Sequence, residues 1–483
     1  MIQSPTLFAE YYQDPNASAA GFAITRKPLA ATVEEENTMI INELITVLGS
    51  ANVMMRASGS SKILLDEYPT VVRAMVDLTG MSATTVSEMR NSIMAILMGR
   101  LENEYTNLPD AFGATASNFV LSFSVQERTP VIGDRYIVIM GGLGTNLDYN
   151  DSTKTTGFHV DDAANGSCLA APGDGHEAEC ETYLVATQPV ADIIWIIDES
   201  GSMSQEQQSV AANAVNFFNR AIAYGLDFRM GVVDVNIANN GVLCTGQGQS
   251  NDFFLTPANL SQFQACALEP WGSLTYEGGT EHGITQGYNA IVNHLPRANA
   301  PNRIRPDAQL VLIYVSDEAA QEVQTACNPD TDPVCIQAEI QPTLNLLNGI
   351  SNPEGQGTAH AIVGPPPSGC STASLGSGYV EIATATGGQV ASVCQSDLGA
   401  TLQIIIEDIV ANSSPVVLHH YPISVSVAAA KDGLALERSR LDGFDYRSSA
   451  NTIVFVNQEF DPLHPSEVIV SYERWITNLI PPD

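Results

Sequence analysis

Basic residues are scarce in this chain. Lys and Arg total 20 against 54 Asp and Glu, a formal net charge of -34, and the acidic excess is spread along the sequence rather than gathered in one tail. Nucleic acid and anionic membrane surfaces are poor partners for such a polyanion. The acidity does not signal disorder, because charged residues make up only 15% of the chain and hydrophobic ones 44%, the balance of a folded globular protein. Long apolar runs are missing as well. A membrane-spanning helix needs roughly 20 such residues, and the nearest stretch, 39–55, is broken by Glu43, Gly49 and Asn52, so no transmembrane segment is expected. Residues 1–16 lack the basic start and apolar run of a secretory signal. That leaves a processed or truncated form open and does not argue for a cytoplasmic home.

Catalytic signatures are absent too. There is no GxSxG elbow, no GxxxxGK[ST] phosphate loop, no complete GxGxxG and no HExxH. The nearest miss, His176-Glu177-Ala178-Glu179-Cys180, lacks the second histidine of a zinc protease and reads as a polar loop. His419 and His420 are adjacent, so on a strand they face opposite sides and cannot chelate one ion together. An enzyme needs a nucleophile or base poised by a third group, and no such set is visible; a non-enzymatic protein is expected.

What is present is length and cysteine. The 483 residues correspond to roughly three domains of about 150 residues each, enough to bury a sizeable core unaided. The eight cysteines fall as four close pairs: Cys168 with Cys180, Cys244 with Cys266, Cys327 with Cys335, and Cys370 with Cys394. About 105 connectivities exist in principle, but neighbours flanking short loops close most easily, and none has CxxC spacing. Four local disulfides and an oxidising compartment, secreted or cell-surface, are expected.

Along the chain, residues 1–37 read as an extended arm, polar with scattered prolines. Residues 38–189 read as a helical plus β region, with helical spacing at 39–48, 68–78 and 83–101, strands at 119–125 and 135–140, and a long loop over 141–180. That loop carries Asp148, Asn150, Asp151, Asp161 and Asp162, whose spacing matches no calcium loop; a solvated acidic loop is the expectation. Over 190–413 apolar strands (192–197, 228–235, 309–315, 359–363) alternate with amphipathic helices (205–223, 280–292, 398–410). Such alternation predicts an α/β, doubly wound, mostly parallel sheet. Residues 414–483 read as a small β module with runs at 423–427, 452–456 and 468–472.

In an open parallel sheet, ligands bind beyond the carboxyl ends of the strands. There the run 193–197 leads straight into Asp198-Glu199-Ser200-Gly201-Ser202. In an extended segment residues two apart point the same way, so Asp198, Ser200 and Ser202 converge, with Gly201 allowing a tight turn. A hard divalent cation prefers such oxygen donors. Thr280 lies in a glycine-rich loop, Glu277-Gly278-Gly279-Thr280, opening a helix, and Asp317 follows the strand 311–315 through Ser316. Glu199, Glu318 and His282 border the site as rim residues; Trp195 reads as a core anchor and Trp271 as a loop anchor.

The DxSxS motif at Asp198, Ser200 and Ser202, the GGT at Thr280 and the strand-ending SD at Asp317 resemble the von Willebrand factor type A family, over residues 190–413. The cysteine-rich pattern and Ser-Asp-Glu at 316–318 resemble its secreted bacterial members. The resemblance implies a Rossmann-like fold and a metal-ion-dependent adhesion site with five ligands, Asp198, Ser200, Ser202, Thr280 and Asp317. It implies Mg2+, with Ca2+ or Mn2+ as alternatives, leaving one coordination position for an Asp or Glu carboxylate of a protein partner. It further implies that rearranged metal ligands couple to a shift of the last helix, 398–410. A structural subunit of a bacterial envelope or surface assembly, with a structural metal, is the alternative expectation. The sequence does not fix the oligomeric state.

Overall fold

The computed structural model describes residues 21–28, 32–48, 53–56, 72–78, 81–98, 103–107, 116–128, 136–165, 175–244, 252–268, 281–327, 332–350, 357–366, 368–370, 372–395, 398–448 and 450–476. Two compact units result, one formed by Met1–Thr187 with Ser414–Asp483 and the other by Gln188–Ser413.

The first unit opens with β1 (Gly21–Pro28), α1 (Val33–Leu48), β2 (Val53–Arg56), β3 (Val72–Asp77), α2 (Ala83–Met98), β4 (Asn103–Asn107), β5 (Asn118–Arg128) and β6 (Tyr136–Thr145). Its strands run in the order β4-β1-β6-β5-β3-β2, each neighbouring pair antiparallel. Phe119, Leu121, Phe123 and Val125 alternate along β5, so one face is wholly apolar, and they join Ile137, Ile139 and Leu143 of β6 in a core with Ile40 and Leu44 of α1 and Ile93 and Ile96 of α2.

Three expectations fail in this unit. The arm over 1–37 contains β1 and the first turns of α1, because pairing to β4 and β6 on both sides recruits a segment that has little periodicity of its own. The stretch 68–78, read as helical, contains β3; its short apolar run suits either element, and pairing with β2 and β5 decides it. The supposed long loop over 141–180 completes β6 and then forms α3 (Asn146–Asn150), α4 (Thr156–Asn165) and β7 (Gly175–Val185). Glycines in β6 disguised the strand, and Gly144 has a packing reason: a Cβ there would meet Val160 Cγ2 of α4 at 3.1 Å.

Gln188–Ser413 is a mixed α/β unit built on five parallel strands, β8 (Val190–Ile197), β9 (Asp227–Asp234), β10 (Gln309–Val315), β11 (Thr358–Val363) and β12 (Gln389–Ser392), in the order β12-β11-β10-β8-β9. β8 and β10 are buried along almost their whole length, which explains their uninterrupted apolar sequences. The helices are α5 (Ser204–Ala223), α6 (Leu260–Leu268), α7 (Gly283–Asn293), α8 (Gln321–Ala326), α9 (Pro333–Gly349), α10 (Tyr379–Ala385) and α11 (Gly399–Asn412). They pack among themselves as two groups, α5 with α6 and α11, and α7 with α8, α9 and α10. Trp195 of β8 sits edge-on to Phe217 of α5 and Phe263 of α6, an aromatic anchor for the first group. Arg220 of α5 pairs with buried Glu407 of α11, and Ser209 Oγ accepts the Leu398 N–H at 3.0 Å.

Disulfides join Cys244 to Cys266, Cys327 to Cys335 and Cys370 to Cys394. Of the fourth expected pair, Cys168 lies outside the described residues, while Cys180 is exposed in β7 and has no disulfide partner among the described residues. Among the described residues no helix is long and apolar enough to cross a membrane.

The C-terminal segment returns to the first unit as β13 (Ala428–Lys431), β14 (Leu434–Leu436), β15 (Gly443–Arg447), β16 (Thr452–Val456) and β17 (Ser466–Ile476). It is not a module by itself: β17 pairs antiparallel with β7 over eleven residues, giving the sheet order β14-β13-β17-β7. The pairing makes His176-Glu177-Ala178-Glu179-Cys180 part of a strand rather than a polar loop. Residues 423–427, expected as a strand, hold a single 3-10 turn at Ser424–Ser426, with the strand starting just after. Asp161 and Asp162 of α4, expected in a solvated loop, pair instead with Arg440 and Arg438, which also contact fully buried Asp445.

Candidate functional site

The chain leaves β8 to place β9 on one side and then crosses back to place β10 on the other. A crevice therefore opens between the carboxyl ends of β8 and β10, the switch point at which parallel sheets bind ligands. The residues directly after those strands are Asp198 and Ser316-Asp317.

Asp198 is fully buried and rigidly held. Its Oδ1 accepts from Ser200 N–H at 2.8 Å and its Oδ2 from Ser316 Oγ–H at 2.8 Å, while its backbone carbonyl accepts from Gln207 Nε2 at 2.8 Å. Burial raises its pKa above the ordinary carboxylate value, outweighing the hydrogen bonds from Ser200 and Ser316, and the nearby Asp317 charge adds to the rise. Ser200 Oγ and Ser202 Oγ lie 2.9 Å apart. Their convergence is produced by a 3-10 turn over Gly201–Met203, not by the extended chain expected from the sequence. Gly201 is not needed for that turn: no positive φ occurs there, and an added Cβ would meet nothing within 4 Å.

Asp317 is 7% exposed, and its Oδ1 has no hydrogen-bond partner among the described residues. The site thus brings together Asp198, Ser200, Ser202 and Ser316, with Asp317 close enough to act electrostatically on Asp198. Thr280 lies outside the described residues, as does Trp271. His282 caps α7, donates its N–H to Val235 O at 2.8 Å, and its Nδ1 lies 3.7 Å from Glu322.

Sequence reading missed several carboxylates. Glu281, half-buried before α7, is pushed up to about 8 by burial and then by Asp198, Glu318, Asp317 and Glu199. One of its oxygens is buried without a hydrogen-bond partner among the described residues. Asp234, at the end of β9, is pushed up to about 7 by burial and the Glu199 charge, although Asn239, Gln286 and Asn236 all donate to it. The end-of-strand rule applied to Asp317 would also have picked out Asp234.

Among the described residues no group of three or more His, Cys, Asp and Glu side chains is arranged to hold a metal ion. The ligand set implied by the family resemblance rests on hydroxyls and only two carboxylates, and its donor chemistry fits a hard cation. Asp317 Oδ1 is buried with no hydrogen-bond partner among the described residues, the Ser200 and Ser202 oxygens face one another, and burial, then repulsion from neighbouring acids, raises Glu281. An isolated buried carboxylate oxygen is costly, and a cation relieves that cost.

No family model matches the chain, and neither does any curated protein. Among solved structures, the pilus adhesin SpaC from Lactobacillus rhamnosus GG is 14% identical, with a TM-score of 0.31 over 62% of this chain and 41% of its own. Proximal thread matrix protein 1 of the mussel byssus is 15% identical, with a TM-score of 0.29 over 47% of this chain and 49% of its own. The chain spans less than half the length of either protein. Likenesses this remote carry neither fold nor function across.

Proposed function

We propose that this chain is a non-enzymatic, secreted or cell-surface adhesion protein of the von Willebrand factor type A kind, whose divalent cation binds an acidic group of a protein partner. The observation that carries the reading is the buried Asp317 Oδ1, which has no hydrogen-bond partner among the described residues and whose carboxylate acts on Asp198, at the β8 and β10 strand ends where the Ser200 and Ser202 hydroxyls also converge. Two helix groups around a sheet ordered β12-β11-β10-β8-β9 support a doubly wound core. Three disulfides support an oxidising compartment.

Asp198, Ser200, Ser202, Thr280 and Asp317 would hold the ion, Mg2+ first and Ca2+ or Mn2+ as alternatives. Bound there, it supplies a hard positive centre for an outsider's carboxylate. The chain's own residues prepare the site. Ser316 and the Ser200 N–H fix both Asp198 oxygens, and Gln207 fixes the backbone that carries them.

Capture of proteins from native surfaces with and without magnesium, alongside Asp198→Ala, tests this. Capture that needs both magnesium and Asp198, from a protein that stays folded after chelation, is the expected result. Capture indifferent to magnesium ends the reading, and so does outright unfolding of the chelated protein at the temperature of the assay, which marks a structural metal beyond the modest mass-action stabilisation any bound ion gives.

A further inference from the structure

β12 is the shortest strand of the parallel sheet, four residues long, and it pairs with β11 at three positions: Ala361 with Val390, Ile362 with Ala391 and Val363 with Ser392. A covalent bond reinforces this pairing just beyond its end. Cys394, two residues after β12, is joined to Cys370, seven residues after β11. The segment that the bond restrains is tied in turn to the crevice, and a single peptide unit makes the link. Ala373 O accepts the Cys370 N–H at 2.8 Å, while the N–H of the same peptide, that of Ser374, donates to Asp317 O at 2.9 Å. Ser377 O then accepts the Ala320 N–H at 3.0 Å, so the chain after β10 is held at Asp317 and again at Ala320. The residue before Asp317 is Ser316, whose hydroxyl holds Asp198 Oδ2.

This strap lies too close to its neighbours to carry ordinary side chains. A Cβ on Gly364 would stand 1.6 Å from Ser374 O, and one on Gly376 would stand 2.4 Å from Val363 Cγ2. Gly369 and Gly378 have φ of +81° and +93°, the region that glycine alone enters freely. Such close packing has an entropic cost, because a Gly- and Ser-rich segment is flexible by itself. A crosslink removes part of that freedom before the segment docks.

We propose that the Cys370–Cys394 disulfide positions Asp317, so that the crevice reaches full affinity for its divalent cation only once this bond has formed. This rests on the adhesive reading and adds how the site matures. Both cysteines are half-buried, within reach of exchange with an oxidant that itself carries a disulfide. The two thiols give up two protons and two electrons as the bond forms, and the oxidant leaves as a dithiol. In the reduced form the hydrogen bonds to Asp317 O and from Ala320 N–H open more often, and an ion that needs its oxygen donors held in place binds more weakly. Metal-dependent adhesion is thereby confined to compartments in which disulfides persist.

The test titrates Mn2+ calorimetrically into the full chain, into the double variant Cys370→Ser, Cys394→Ser, and into a control, Cys244→Ser, Cys266→Ser, which opens the disulfide between the segment after β9 and α6. The first variant is expected to bind Mn2+ about tenfold more weakly, in the range for losing a group that orients a metal ligand, and the control to bind as the native chain does. Amide exchange in the metal-free proteins gives a second readout: the Ser374 and Ala320 N–H groups should exchange faster in the first variant than in the native chain or the control. If the first variant does not fold, Gly364→Ala decides the matter with the disulfide intact, because its Cβ displaces Ser374 O; it too should weaken Mn2+ binding. Unchanged Mn2+ affinity in whichever of these variants folds overturns the inference and leaves the adhesive reading standing, as do equal weakening in the control and unaltered exchange of the two amides. Mn2+ binding that is absent from the native chain, or that Asp198→Ala leaves unchanged, overturns both.

Discussion

At the scale of the residue, Ser316 is the side chain whose importance the sequence conceals. It separates an apolar strand from Asp317 and looks like a spacer, yet its hydroxyl donates to Asp198 Oδ2 and accepts the N–H of Glu318. Ser316→Ala removes a donor from a fully buried carboxylate and leaves that oxygen without its protein partner. The expected cost is about 1–3 kcal/mol in the metal-free protein, the range for stranding a buried polar group. Chemical denaturation of both proteins in chelator measures it, and a change below about 0.5 kcal/mol would mean that water replaces the hydroxyl. Asp198 and Ser200 were legible because Asp and Ser at alternate positions after an apolar strand form a local pattern. Ser316, Gln207 and Glu281 were not, because each earns its place through a contact across strands or helices that no spacing within one segment encodes.

At the scale of the element, the parallel strands were the easiest to read and the first unit the hardest. β8 and β10 are buried on both faces, so their sequences are continuously apolar and stand out from the helices between them. β12 is four residues long and leaves too short a run to notice, while β3 carries apolar residues at spacings that also suit a helix. β15 went unread and α4 was taken for a loop for another reason: their link is ionic. Asp445 of β15 is fully buried between Arg440, Arg447 and Arg438, and Arg440 and Arg438 reach on to Asp161 and Asp162 of α4. Burial alone would raise the Asp445 pKa, but the three arginines more than offset it and hold the group below the ordinary carboxylate value. A folded-state pKa depressed in this way contributes stability that is complete above the unfolded value of about 3.9 and is lost as pH falls through the folded value. Arg440→Met should remove about 3–5 kcal/mol, the range for breaking a buried ion pair on one side, and should move acid unfolding to higher pH. Acid titrations followed by circular dichroism check both; an unchanged acid midpoint would show that Arg438 and Arg447 suffice without it.

At the scale of the whole molecule, the formal charge of -34 sets two responses to ions that can be separated. Self-repulsion among exposed acids destabilises the compact state and weakens as salt shortens the screening length, from about 30 Å at 0.01 M to about 8 Å at 0.15 M. Sodium chloride should therefore raise Tm over that range, whereas a protein stabilised chiefly by surface ion pairs would lose stability. Magnesium acts in the same general way but also by mass action if it occupies the Asp198 crevice, adding about 2.7 kcal/mol when its free concentration is 100 times the dissociation constant. At equal ionic strength, magnesium should thus stabilise the protein beyond sodium, and Asp198→Ala should abolish only the excess. The three disulfides of Gln188–Ser413 limit how far that unit can expand when unfolded, so its baseline should be measured without reductant. If magnesium and sodium raise Tm equally at matched ionic strength, the acids of the crevice are only part of a diffuse negative surface. If the excess survives Asp198→Ala, the ion is bound somewhere other than at the β8 and β10 strand ends.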